Sequence, residues 1–243
     1  MDKPLLAFCS PHYGPVETEV YHNHLALMTK ASRTFDVKMI GVTDKMYLHT
    51  ASNELVRGAL EGGIDYVFWT ENDMLPPVDA LEKLYANRKD ICGGLYFLRG
   101  DGDDSYQPCV YVRSDDYVED LSYGFIPWSI VPENTVEKVD AIGMGCVLIK
   151  VDVFRKLKAM FPKDPWFDIG ENMCGQDMYF YKKCWDAKIG VYVDTSVQCE
   201  QLDKRTRTSI DGYRRWLTSP GAKARGFIPW TKTEKPWGAR QKV

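Results

Sequence analysis

The chain has 243 residues, 44% of them hydrophobic, and a formal net charge of −3. That suits one globular domain, or one with an appendage, and supplies apolar side chains for a sizeable core. The seven cysteines are odd in number and include no Cys-x-x-Cys pair, which argues against a disulfide framework or a structural zinc site and fits reduced thiols in the cytoplasm.

In chain order, Leu5 to Cys9 is apolar and reads as a first strand. The start is too soon polar for a signal peptide, and no apolar run is long enough to span a bilayer. Ser10-Pro-His-Tyr-Gly-Pro15 has turn chemistry, and Val16, Val20, His24, Leu27, Met28 and Ala31 then recur at helical spacing. Val37 to Val42 reads as a second strand. Ala51 to Glu61 reads as a helix stopped by Gly62-Gly63. Tyr66 to Thr70 is a third strand, Val78 to Asn87 a helix and Ile91 to Leu98 another strand. This alternation predicts an α/β fold with a mostly parallel sheet flanked by helices.

The rhythm then breaks. Gly100 to Ser105 is a polar loop, and Val110 to Arg113 a short strand. Asp140 to Ile149 is a strand interrupted by Gly143 and Gly145. A helix over Val151 to Met160, another over Gln176 to Ala187 and a late strand over Gly190 to Asp194 follow. Ile210 to Leu217 has the pattern of a short helix.

Glu71-Asn72-Asp73 ends the third strand just before two prolines. Two carboxylates one residue apart at a strand end suit a divalent cation, which prefers oxygen ligands and also takes diphosphate oxygens. The competing reading is that Asp73 caps the next helix and Glu71 is solvated. Asp177 opens an amphipathic helix, where it is either a helix-dipole partner or a general base.

Taken in order, these features resemble the GT-A glycosyltransferases. The pattern is an Asp-x-Asp-like motif at a strand end (Glu71-Asn72-Asp73), then a Gly-rich strand (Ile142 to Ile149). An acidic residue opening a helix follows (Gly175-Gln176-Asp177), and last a Gly-to-Asp strand leading to a metal ligand (Gly190 to Gln201). The resemblance covers residues 1–203. It implies a Rossmann-like GT-A domain using a nucleotide-diphosphate sugar with Mn2+ or Mg2+. Glu71, Asp73 and Gln201 would hold the metal, and Asp177 would be the general base of an inverting transfer. Pro11, His12, Tyr13, Asn53, Arg57 and Asn72 would meet the nucleotide, and Gly143 and Gly145 would let backbone approach the donor sugar. Glu71 is longer than the usual Asp, Gln176 stands where Glu is usual, and Gln201 stands where His is expected. These departures keep a non-catalytic nucleotide- or glycan-binding protein as the alternative.

Residues 204–243 lie outside the resemblance and form a basic extension with three tryptophans, Trp216, Trp230 and Trp237. They carry eleven Lys/Arg against two acidic residues, so the first 203 residues hold a net −12. Such asymmetry points to an anionic partner. Nucleic acid, a lipid head group, the donor's phosphates and the acidic body of the same chain all qualify. A nucleic-acid acceptor competes with a glycan or lipid-linked glycan.

Overall fold

The computed structural model describes residues 3–12, 14–43, 45–99, 106–114, 123–128, 131–170, 175–203 and 206–224. In chain order the elements are β1 (Leu5–Pro11), α1 (Thr18–Ala31), β2 (Asp36–Thr43), α2 (Leu48–Glu61), β3 (Tyr66–Thr70), β4 (Met74–Leu75), α3 (Ala80–Ala86), β5 (Ile91–Leu95), β6 (Phe97–Arg99), β7 (Tyr106–Pro108) and β8 (Val110–Arg113). Then come β9 (Phe125–Pro127), β10 (Val136–Val139), β11 (Ala141–Ile142), β12 (Cys146–Lys150), α4 (Val151–Met160), α5 (Gln176–Asp186), β13 (Val191–Gln198), β14 (Glu200–Asp203), β15 (Thr206–Thr208), α6 (Ile210–Leu217) and α7 (Pro220–Ala224).

The central sheet has seven strands in the order β10-β13-β5-β12-β3-β1-β2. β1, β2, β3, β5 and β13 run one way; β12 and β10 run against them. The α/β sheet expected from the alternation is therefore present, with two reversed strands. β11, three residues ahead of β12, belongs to a separate three-stranded sheet with β8 and β9, and the chain leaves it to enter the central sheet between β3 and β5.

Successive strand residues feed two cores. Ala7, Cys9, Val67 and Trp69 face the layer containing α2, α4 and α5. Leu6, Phe8 and Phe68 face the layer containing α1 and α3. That period-two division of nearly unbroken apolar strands is what a sheet covered on both faces requires.

The same core takes in residues beyond 203. β15 pairs with β14, and Tyr213, Trp216, Leu217 and Ala222 are buried in the larger of the two core clusters. The Tyr213 ring stacks on Phe97 at 4.4 Å between centroids. Among the described residues, the cysteines Cys9, Cys92, Cys109, Cys146, Cys184 and Cys199 are buried free thiols, and no helix is long and apolar enough to cross a membrane. The polar loop over residues 100–105, Cys174 and the tryptophans at 230 and 237 lie outside the described residues.

Candidate active site

β1, β3, β5 and β13 all end on one rim of the sheet, where parallel α/β sheets place their ligands. β3 stops at Thr70, and Glu71-Asn72-Asp73 makes the turn into β4, closed by Met74 N–H donating to the Glu71 carbonyl at 3.2 Å. β4 and β14 then pair antiparallel, with Gln201 opposite Met74. The Leu202 N–H donates to the Asp73 carbonyl at 2.7 Å. Gln201 Nε2 donates to Asp73 Oδ2 at 2.9 Å. Asp73 is thus gripped by a strand 128 residues downstream, through both main chain and side chain.

His24 supports the turn from beneath. Its Nε2 lies 3.1 Å from the Met74 carbonyl, where it must donate, and 3.4 Å from Thr70 Oγ1. Burial pushes its pKa down to about 4, opposed in part by that carbonyl, so the imidazole is neutral near pH 7. The sequence signal was present: a histidine in the apolar stripe of α1, a position where a polar ring needs a buried partner.

Glu71 is the most perturbed acid here. Burial pushes its pKa up to about 8, and the charges of Asp73 and then Asp177 add to the rise. The Asp177 carboxyl is raised too, by burial, against the pull of backbone N–H groups that include Met178 N–H, which donates to Oδ1 at 2.9 Å. Gly175 precedes α5 at φ +92°, and a Cβ there would lie 2.9 Å from Asp177 Oδ1. The glycine therefore serves both the turn and the seat of the carboxylate. Gln176, next to Asp177, is turned inward and accepts from Ser52 Oγ at 2.7 Å, tying α5 to α2.

A cavity of about 440 Å³ opens on this turn. Glu71, Asn72 and Asp73 line it together with Pro11 and His12, and its other wall is Met46, Tyr47, Leu48 and Ala51. His12 is oriented by Ser10 Oγ at 2.9 Å. Tyr47, which sequence reading did not single out, is 81% exposed, and its ring is stacked with that of His49. An aromatic residue just before a helix is a weak sequence signal, and only the fold puts it opposite the acidic turn. Tyr13 lies outside the described residues.

The remaining expected residues sit elsewhere. Asn53 spends its amide on protein: Nδ2 donates to the carbonyls of His49 and Phe167, each at 2.8 Å, while Oδ1 accepts from the N–H groups of Trp166 and Phe167. It fastens the 165–167 segment to α2. Arg57 is half-exposed and pairs with Glu54 at 2.6 Å. A Cβ at Gly143 would lie 1.9 Å from Tyr96 Oη, and one at Gly145 would lie 3.0 Å from Met74. The space the two glycines leave is filled by the protein's own Tyr96 and Met74. Tyr96, missed from sequence, is buried beside Cys109, and its Oη accepts from Gly145 N–H at 3.3 Å.

The donor set suits a hard cation in charge: two adjacent carboxylates crowd one another, and the described residues lining the cavity include no Lys or Arg. Among the described residues, however, no three His, Cys, Asp or Glu side chains converge as ligands. Facing a carboxylate, Gln201 presents its N–H rather than its oxygen. In this arrangement it holds Asp73 in place.

No protein-family model matches the chain, and no curated protein sequence matches it. Among solved structures, the chain is similar to A197 from STIV at 18% identity and a TM-score of 0.54, covering 85% of this chain and 93% of that one. That likeness is one of fold. Looser likenesses are to GalNAc-T7 with UDP, GalNAc and Mn2+ (12% identity, 88% of this chain and 48% of that one, TM-score 0.48) and to UDP-glucose pyrophosphorylase complexed with UDP-glucose (10%, 93% and 100%, TM-score 0.47). These two are too loose to carry an argument about this chain.

Proposed function

We propose that the protein is a glycosyltransferase that moves a sugar from a nucleotide-diphosphate donor to an acceptor hydroxyl. The observation that carries the reading is the rim cavity, with Glu71, Asp73 and His12 on one side and Tyr47 on the other. It offers an aromatic ring and a ring nitrogen for a nucleoside beside two carboxylates for a cation. A cation would offset the acidic turn as a diphosphate approaches, and the described residues lining the cavity include no Lys or Arg.

Glu71 and Asp73 are the residues that would hold Mn2+ or Mg2+, with Gln201 fixing the rotamer of Asp73. When bound, such an ion supplies Lewis-acid charge for a diphosphate leaving group. Asp177 is the general base of this proposal. Its Oδ1 is committed to Met178 N–H, so Oδ2 is the oxygen that takes a proton from an acceptor hydroxyl. Burial raises its basicity for that role. A base placed this way gives inversion at the anomeric carbon, and the anomeric configuration of the product checks it.

The test combines ligand and variant. Nucleotide sugars screened by thermal shift with and without Mn2+ should raise the melting temperature only in the presence of the ion. Asp73→Ala should abolish that shift, and Asp177→Asn should keep it while reducing transfer by about 100-fold or more. Full transfer activity in both variants would sink the assignment.

A second reading has its own support. Gln201 occupies Asp73, and Gln176 is turned inward onto Ser52, as suits a fold retained for binding without turnover. It predicts nucleotide or glycan binding with no product from any donor.

A further inference from the structure

A second cavity, of about 400 Å³, lies on the same rim behind the β4–β14 pair. Gln201 turns its side chain to Asp73, while Glu200, the next residue on the strand, lines this cavity. Neighbouring strand residues face opposite ways, so one two-stranded ladder separates the two pockets.

One wall is rich in hydrogen-bond acceptors and keeps a net negative charge, because two carboxylates share one arginine. Arg207 pairs with Glu19 and, at 2.8 Å, with Glu200. Asp211 pairs with Arg214 at 3.0 Å. The carboxylates keep lone pairs for further donors, but the two arginines are engaged. Asn23 belongs to the same wall. Its Nδ2 donates to the Pro76 carbonyl at 2.9 Å, which fixes the amide, and its Oδ1 is buried without a protein partner. The other wall is apolar, formed by Leu75, Pro76, Pro77 and Val78, the last 47% exposed.

We infer that this cavity binds a neutral saccharide unit of the acceptor, remote from the hydroxyl that reacts; the word acceptor rests on the transferase proposed above. A pyranose ring has a hydroxyl edge that donates and a C–H face that packs on apolar groups, and the two walls match those two surfaces. A polyanion fits poorly. Its phosphates would meet Glu19, Glu200 and Asp211 with the neighbouring arginines occupied, and the described residues of the lining include no aromatic ring on which a base would stack. The recognition chemistry is therefore opposite in sign to that expected of a nucleic-acid acceptor.

The full chain is applied to an array of neutral glycans, with titration of the best binder into the wild type and into Val78→Trp, which fills the cavity from an exposed position. Val78→Glu is the second variant should the indole disturb folding. Expected are binding to neutral glycans, at least a ten-fold loss in V78W, unchanged thermal shift by nucleotide sugar, and no displacement by an oligonucleotide at physiological salt. The inference is overturned if no neutral glycan binds, if both variants bind as well as the wild type, or if the oligonucleotide displaces the glycan. Glycan binding that V78W weakens, in a protein that binds no nucleotide sugar, would support the saccharide site and count against the transferase reading alone.

Discussion

His24 and Gln201 hold the acidic turn from opposite sides, one on the Met74 carbonyl and the other on the Asp73 carboxylate. The histidine couples the turn to pH. Its pKa is about 4 in the folded protein against 6.5 for the free side chain. Above pH 6.5 it is neutral in both states, and its contribution is fully present. As pH falls from 6.5 towards 4 the unfolded chain binds the proton first, and stability is lost by an amount on the order of 3 kcal/mol. Urea unfolding at pH 7 and pH 5 should show this slope, and His24→Gln, which still donates but does not titrate here, should flatten it. His24→Leu should cost about 1 kcal/mol at pH 7 through the lost donor to Met74.

At the scale of elements, the break between β11 and β12 is a packing solution. Gly143 and Gly145 read as places where a donor sugar approaches backbone, yet Tyr96 and Met74 already fill the space. The two should respond differently to one added methyl. In Gly143→Ala the new Cβ would meet a phenolic oxygen at 1.9 Å on a fully packed ring, so a loss of about 3 kcal/mol is expected. In Gly145→Ala it meets the flexible Met74 side chain at 3.0 Å, so the cost should be about 1 kcal/mol. Chemical denaturation of both variants measures the difference, and equal costs would refute the packing account.

For the molecule as a whole, the charge asymmetry has an internal outlet. Arg207 reaches Glu19 and Glu200, and Arg214 reaches Glu133 at 2.7 Å, so described cations of the C-terminal segment meet the acidic body. Such exposed pairs contribute little each. The larger attachment is apolar: Tyr213, Trp216 and Leu217 belong to the main core. Trp216→Ala should cost about 3 kcal/mol or more. A chain ended at residue 203 should lose cooperative unfolding, because it uncovers Phe97 and breaks the β14–β15 hairpin that backs Asp73. A sharp calorimetric transition at an unchanged temperature would refute this.

The sequence determined the strands with unbroken apolar runs, the helices with periodic faces, and the turn at Glu71-Asn72-Asp73, because local composition decides those. It also placed Asp177 at a helix start and Ile210 to Leu217 in a helix. It missed β4, β7, β9, β10, β14 and β15, short or polar strands that are held by their pairing partners. Asn53 and Arg57 share a helical turn and are expected at the nucleotide, but one is consumed by the 165–167 segment and the other by Glu54. Tyr47, Tyr96 and His24 acquire meaning only from what lies across from them. Residue type and spacing are local properties that a sequence displays. Which carboxylate is gripped, which glycine is filled and which cavity lies behind a strand depend on contacts between distant segments, and only the tertiary structure decided those.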